Sequence, residues 1–256
     1  MDVWKIVLDS TEGTSHSREQ LGCQDASGCV EITISGERRL CLVCSDGAGS
    51  AVHAAEASRY ACQWFLKTLA HHFYTGGVIG ELDRDCIVKW TGSLRAHFEA
   101  RATELNCMPG DFACTLLLSV LEENCALFAQ IGDGVIVRWD GEDYKTVFWP
   151  QTGEYLNTTI FVTSDQVDTS LNYLLYPAPV HELALLTDGL QMISLDYGIR
   201  QAHQPFFAPL FSRLRAEGNS EILSPLLTDF LRSEKVNART NDDKTLILAS
   251  RITSDC

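Results

Sequence analysis

Four aspartates stand at the ends of apolar stretches, where a carboxylate could do chemistry. They are Asp46 after LCLVCS, Asp133 after CALFAQIG, Asp188 after LALLT, and Asp242 just before KTLILAS. A strand end holds a side chain more firmly than a free loop does, and carboxylates gathered at one rim repel one another unless cations lie between them. Oxygen ligands without clustered His or Cys suit hard ions such as Mg²⁺ or Mn²⁺.

Each of these positions also has a plainer interpretation as a turn. Asp-Gly is a common way to leave a strand, because Gly accepts positive φ and Asp bonds its own backbone. Gly47, Gly134 and Gly189 each follow their aspartate, which removes a side chain where backbone could approach an ion or a substrate. The repetition of this pattern at strand ends favours a cation site over independent turns.

The spacing of apolar residues predicts two groups of strands with helices inserted between them. The predicted strands cover residues 4–8, 29–34, 39–44, 114–121, 125–131, 135–139, 181–187 and 245–250. The predicted helices cover residues 50–73, 82–105, 205–216 and 220–233. Short hairpin-type connections within 114–139 favour an antiparallel meander there.

This order of elements indicates an α+β fold, a layered sandwich of two antiparallel sheets with helices outside. No low-complexity linker divides the chain, so residues 1–256 are expected to form a single domain. The polar stretch over residues 150–176 is expected to form a small flap on the surface.

Composition excludes several classes of function. The formal net charge is -14 and no Lys/Arg-rich run is present, so a nucleic-acid surface is not expected. No apolar segment approaches the length that spans a bilayer, and the first ten residues contain no cleavage-like site, so no membrane contact and a cytoplasmic location are expected. Ten cysteines are scattered singly through apolar stretches, which is typical of small core residues in a reducing compartment.

Six motifs in chain order resemble the metal-dependent protein phosphatases of type 2C, the PPM family. They span nearly the whole chain: GCQDA around Asp25, SDGAGS around Asp46, ACTLLLSVL from Ala113, QIGDGVIVRW around Asp133, LLTDGL around Asp188, and NDDKTLILA around Asp242. GTSH before the first motif and GEYLNTTIF in the middle resemble the compact bacterial branch. The resemblance implies a four-layer α-β-β-α sandwich, with the flap over residues 150–176 beside the active site, where substrate proteins would touch.

The resemblance also implies a role for each matching position. Asp46 would bridge two metal ions with the carbonyl of Gly47 joining one of them, and Asp188 and Asp242 would complete the two sites. Asp25 would orient metal-bound water. In members with a third metal ion, Asp133 and Asp188 would be its ligands. The cofactors implied are therefore two or three Mn²⁺ or Mg²⁺ ions.

One departure from the family pattern concerns the phosphate. Family members usually place an arginine five residues before the position of Asp25, and here that residue is Gln20. His16 and Arg18 lie nearby and could bind the phosphate instead, although a loop residue could also supply the hydrogen bond. Asp243 stands where the family commonly has Asn.

The activity implied is hydrolysis of phosphoserine and phosphothreonine in proteins by a water that two metal ions activate. The catalytic residues would be Asp25, Asp46, Asp188 and Asp242. The expected partners are phosphorylated proteins, substrates of a bacterial Ser/Thr kinase, and the chain is expected to be a monomer. The alternative is a catalytically weak pseudo-phosphatase that acts as a binding or adaptor module.

Overall fold

The computed structural model describes residues 2–151, 159–217 and 220–253 of the chain. The strands in chain order are β1 (Asp2–Thr11), β2 (Asp25–Ile34), β3 (Glu37–Asp46), β4 (Leu116–Leu121), β5 (Ala126–Ile131), β6 (Val135–Trp139), β7 (Tyr144–Thr146), β8 (Asn172–Tyr176), β9 (Glu182–Leu186), β10 (Leu195–Asp196), β11 (Gln201–Ala202) and β12 (Lys244–Thr253). The α-helices are α1 (Thr14–Glu19), α2 (Ala54–Tyr74), α3 (Arg84–Leu105), α4 (Val167–Ser170), α5 (Gln191–Ser194), α6 (Gln204–Ala216), α7 (Ser220–Leu231) and α8 (Glu234–Asn237).

The longer strands form two five-stranded antiparallel sheets. The first sheet has the order β1-β12-β9-β6-β7 and the second has the order β2-β3-β4-β5-β8. A separate two-stranded ribbon joins β10 and β11. The predicted α+β fold of two antiparallel sheets with helices outside is confirmed.

The middle of strand β3, residues 40–44, is apolar without interruption because both of its faces are covered. Leu40, Leu42 and Cys44 point into the layer between the two sheets, while Cys41 and Val43 pack in the layer beneath the helices. All five are fully buried. Successive side chains of a strand face opposite sides, so a strand covered on both faces must be apolar at every position.

The helices form the outer layers of the sandwich. α2 and α3 pack on the second sheet, where an apolar stripe along α2 is buried. α6 and α7 pack on the first sheet through a second cluster that includes Phe207, Phe211 and Leu214. Within the described ranges no helix has the length and apolar character that a membrane-spanning helix needs.

The predicted meander over residues 114–139 is wrong at its third strand. β4 and β5 pair within the second sheet, but β6 crosses to the first sheet and pairs with β7 and β9. The free edge of β5 is taken by β8, which the sequence analysis did not predict. Short local connections look alike whether the next strand returns along one sheet or crosses to another. As a result, Asp133 lies on the crossing between the sheets.

The predicted flap over residues 150–176 falls partly on residues 152–158, which lie outside the described residues. Residues on its C-terminal side form the short helix α4 and the edge strand β8. The last part of that range therefore belongs to the sandwich. Thr159 and Phe161 lie against the cavity described next.

Candidate metal centre

The strand-end aspartates meet at one end of the two sheets. A cavity of about 420 Å³ is lined by Asp46, Asp133, Asp188 and Asp242 together. Asp46, Asp133 and Asp188 each offer a carboxylate oxygen, and these three atoms all lie within 4.8 Å of one another. Residues that are far apart in the chain therefore share one acidic space.

Asp46 reaches this space from the second sheet. In the β2–β3 hairpin its Cα partner is Asp25, so strand register alone brings two of the predicted site residues side by side. The Asp46 backbone N–H donates to Thr115 Oγ1 at 2.9 Å, and the Thr115 N–H donates to the Asp46 carbonyl at 2.8 Å. This reciprocal pair fixes the backbone at the end of β3.

The other three aspartates come from the first sheet. β9 and β12 are paired so that Leu186 faces Leu246, and Asp188 and Asp242 follow and precede these strands at the same end. Asp133 lies just before β6, whose first residue is paired with Leu186. Antiparallel pairing thus places all three carboxylates at one rim.

Asp25 is buried beside the acidic cluster and is not among the residues that line the cavity. Its Oδ2 accepts hydrogen bonds from Thr187 Oγ1 at 2.7 Å and from Thr245 Oγ1 at 2.8 Å. Its Oδ1 has no hydrogen-bond partner among the described residues. Burial is the largest influence and raises the pKa of Asp25 to about 7, although the two threonine hydroxyls oppose the shift.

The cluster is electrostatically crowded. Burial, reinforced by the neighbouring carboxylates, raises the pKa of Asp46 well above its usual range. Burial, and then the charges of Asp133 and Asp242, raise the pKa of Asp188 to about 7. Burial also raises the pKa of Asp133, against a hydrogen bond from Thr159. Carboxylates that cannot all ionise together become stable anions only when cations neutralise them.

The donor set fits divalent metal ions. The four aspartates that line the cavity all offer carboxylate oxygen, which is the ligand preferred by Mg²⁺ and Mn²⁺. The unpartnered Oδ1 of Asp25 leaves one buried acceptor free for a water held next to such ions. The residues present are therefore chemically suited to the group that the resemblance implies.

Two glycines let backbone pass close to the site. A Cβ at Gly47 would lie 2.5 Å from the carbonyl oxygen of Ala54, and a Cβ at Gly189 would overlap the carbonyl oxygen of Asp243. Such distances do not occur between real atoms, so any larger residue must move the backbone that carries Asp46 or Asp188.

Replacing Gly189 by Ala is expected to lower the free energy of unfolding by about 2–4 kcal/mol, because the new methyl group meets backbone and not a flexible side chain. Urea unfolding in EDTA measures this effect. Gly92→Ala is the matched control, since Gly92 lies in α3 and a Cβ there meets nothing within 4 Å. The control should gain up to about 1 kcal/mol. Equal stability of Gly189→Ala and the wild type would contradict the close approach of the Gly189 backbone to the carbonyl oxygen of Asp243.

The two candidates for the phosphate occupy different places. His16 lines the cavity, and its Nδ1 lies 2.9 Å from Asp243 Oδ2. Arg18 is exposed and is not among the residues that line the cavity. Gln20, at the position of the usual family arginine, is the exposed C-cap of α1 with φ 58°. Of these three, only His16 faces the space where a phosphate would bind.

The contacts of three supporting residues, Asp243, Thr187 and Thr245, were not predicted from the sequence. Asp243 accepts backbone N–H groups from Gly13 and Gln24 at 2.6 Å each and thereby ties α1 and β2 to β12. Thr187 and Thr245 hold Asp25 from the opposite sheet. Their only sequence signal is a hydroxyl residue close to an aspartate at a strand end, directly before Asp188 in LLTD and two residues after Asp243 in DDKT.

The sequence model of the family described as Protein phosphatase 2C matches residues 12–232. The chain belongs to the protein phosphatase 2C family. Serine/threonine-protein phosphatase 3 of Escherichia coli strain K12 is 34% identical over 249 residues, which cover 96% of this chain and 98% of that protein. This protein phosphatase 2C member is accordingly a phosphoprotein phosphatase of the metal-dependent type.

Solved structures share the fold at low sequence identity. The serine/threonine phosphatase Stp1 from Staphylococcus aureus aligns with a TM-score of 0.67 at 16% identity, over 98% of this chain and 96% of that one. The catalytic domain of the serine threonine protein phosphatase PstP, in complex with two manganese ions, aligns with a TM-score of 0.57 at 18% identity, over 99% of this chain and 100% of that one. The α-β-β-α sandwich predicted from the resemblance agrees with these neighbours.

Proposed function

We propose that the chain hydrolyses phosphoserine and phosphothreonine in proteins at the acidic cavity between the sheets. Asp46, Asp188 and Asp242 hold two divalent ions together with the carbonyl of Gly47, and Asp133 joins Asp188 at a third. The observation that carries this proposal is the meeting of four strand-end carboxylates from both sheets in one cavity. A binding module has no physical need to keep such mutually repelling groups together, so the adaptor alternative has no comparable support.

Divalent ions bound here would lower the pKa of a water and neutralise charge on the phosphoryl oxygens. The residues of the chain supply the geometry. The hydrogen bonds from Thr187 and Thr245 occupy Oδ2 of Asp25, so its free Oδ1 can accept a hydrogen bond from a water and orient it. Asp46 and Asp188 provide the negative charge that retains cations beside a dianionic phosphate.

His16 is the residue proposed to contact the phosphate. Asp243 is 2% exposed and lies against His16 Nδ1, so the imidazole is held with its other edge towards the cavity. That edge lies close to Gly49, since a Cβ there would be 3.9 Å from His16 Nε2. In its imidazolium form, His16 would donate from Nε2 to a phosphate oxygen while Nδ1 donates to Asp243, and would thereby replace part of the interaction that arginine makes in the family.

The partners are phosphorylated proteins, and we propose that a bacterial Ser/Thr kinase produces them. A monomeric enzyme in the cytoplasm fits this role. The nine cysteines within the described ranges form no disulfide, which is consistent with a reducing compartment.

The direct test of this function is phosphate release from a phosphothreonine peptide by the metal-stripped protein after ions are returned. Turnover is expected with Mn²⁺ or Mg²⁺ and none with EDTA. Ca²⁺ should not support turnover, because its longer bonds and flexible coordination do not suit a compact cluster. A folded protein that binds Mn²⁺ yet releases no phosphate would contradict the proposal.

A further inference from the structure

A second and larger cavity lies on the outer face of the first sheet, next to the metal centre. This apolar groove has a volume of about 830 Å³ and runs between α5, α6 and the segment of α7 and α8. Its walls include Met192, Ile193, Phe206, Leu210, Phe230 and Val236. Met192 is 69% exposed, so the groove opens to solvent with an uncovered apolar lip.

Two hydrogen bonds in series link the groove to the metal centre. Tyr197, which lines the groove, donates from its hydroxyl to Gln191 Oε1 at 2.5 Å. Gln191 in turn donates from Nε2 to the backbone carbonyl of Asp133 at 2.5 Å. On the other side, Arg239 stands three residues before Asp242 in the chain. The groove and the metal centre are therefore tied to each other through Gln191 and through the short segment that joins Arg239 to Asp242.

The charged residues of the groove are mainly cationic, in a chain whose formal net charge is -14. Lys235 in α8 and Arg239 just after this helix are exposed and have no ion-pair or side-chain hydrogen-bond partner among the described residues. His203 also lines the groove. The one carboxylate there, Asp196, already accepts the backbone N–H of Gly198 at 2.9 Å. Unpaired cations beside apolar walls match a partner that carries both acidic and apolar side chains.

We propose that this groove binds the segment that flanks the phosphorylated residue of the substrate protein, and that it selects segments with a large apolar residue followed or preceded by Asp or Glu. This inference rests on the proposed function, because it assigns the groove to the same substrate. The acidic groups of the segment contact Lys235 and Arg239, and the apolar residue covers the lip at Met192. Without such contacts the anionic surface would repel an anionic substrate.

The test compares two phosphothreonine peptides, one flanked on both sides by Leu and Glu and the other by Gly and Ser. The wild type should show a higher kcat/KM on the acidic, apolar peptide. The double variant Lys235→Glu, Arg239→Glu should lose about fivefold or more of kcat/KM on that peptide, since each exposed ion pair contributes modestly. Its turnover of p-nitrophenyl phosphate, which reaches only the metal centre, should stay within about twofold of the wild type. Met192→Gln should lower kcat/KM on the same peptide without a change in net charge.

The matched control is Lys67→Glu, Lys89→Glu, which makes the same change in charge on the exposed faces of α2 and α3. It should leave the peptide preference intact. The inference is overturned if the wild type shows no preference, if the preference survives in the groove variant, or if both double variants lose it equally. It is also overturned if the wild type is a dimer, the groove variant is a monomer, and the peptide kinetics of the two are the same. A second copy of the chain would then fill the groove. In each of these cases, metal-dependent turnover of p-nitrophenyl phosphate would still support the phosphatase function, because that substrate does not need the groove.

Discussion

Asp46→Asn is expected to reduce Mn²⁺-dependent hydrolysis of p-nitrophenyl phosphate by about 10³-fold or more, because it removes the charge on which both ion sites depend. The far-UV spectrum should be unchanged, since the backbone bonds of Asp46 to Thr115 do not involve the carboxylate. Initial rates measured over a range of Mn²⁺ concentrations give the result.

The same variant should be more stable than the wild type when metal ions are absent. Burial and neighbouring charges raise the pKa of Asp46, so its ionised form opposes folding near neutral pH and the neutral amide relieves that cost. Asp229→Asn, an exposed change on α7, is the matched control and should alter neither property. Retained turnover in Asp46→Asn would remove Asp46 from the mechanism.

Metal removal should make the stability of the protein fall as pH rises. In the folded chain the pKa values of Asp25 and Asp188 are raised to about 7 from the ordinary value of 3.8. Between these values the folded state holds protons that the unfolded state has released, so the free energy of unfolding decreases with rising pH. We expect a loss of a few kcal/mol between about pH 5 and about pH 8, or roughly 5–10 °C in the melting temperature.

Mn²⁺ should reverse this loss at the higher pH. At a concentration about 100-fold above its dissociation constant, an ion that binds only the folded state adds about 2.7 kcal/mol. The gain should be smaller near pH 5, because protons compete for the carboxylates. Asp188→Asn should flatten the pH profile measured in EDTA. If the free energy of unfolding rises from about pH 5 to about pH 8 in EDTA, the pKa values of these carboxylates are not raised in the folded chain.

The parts of the fold that follow from local pattern were predictable. The unbroken apolar run of β3 and the stripe of Ala57, Ala61, Phe65, Leu69 and Phe73 on α2 each reflect burial against a specific layer. The adjacency of Asp25 and Asp46 also has a local cause, since both lie at the open end of one hairpin. Such features depend on periodicity and short loops, which a sequence displays directly.

Other features depend on long-range packing and leave no such trace. The crossing of β6 to the other sheet, which places Asp133 next to Asp188, follows a connection that looks like an ordinary hairpin turn. The contact of His16 with Asp243 and the threonine bonds to Asp25 join segments more than 150 residues apart. The apolar groove likewise forms only when α5, α6 and α8 come together.

The central claim is that carboxylates from both sheets enclose divalent ions in one cavity, and anomalous scattering from crystals grown with Mn²⁺ tests it most directly. We expect at least two neighbouring manganese peaks bounded by Asp46, Asp188 and Asp242. Manganese bound only elsewhere on this acidic surface, with the cavity free of peaks, would contradict it.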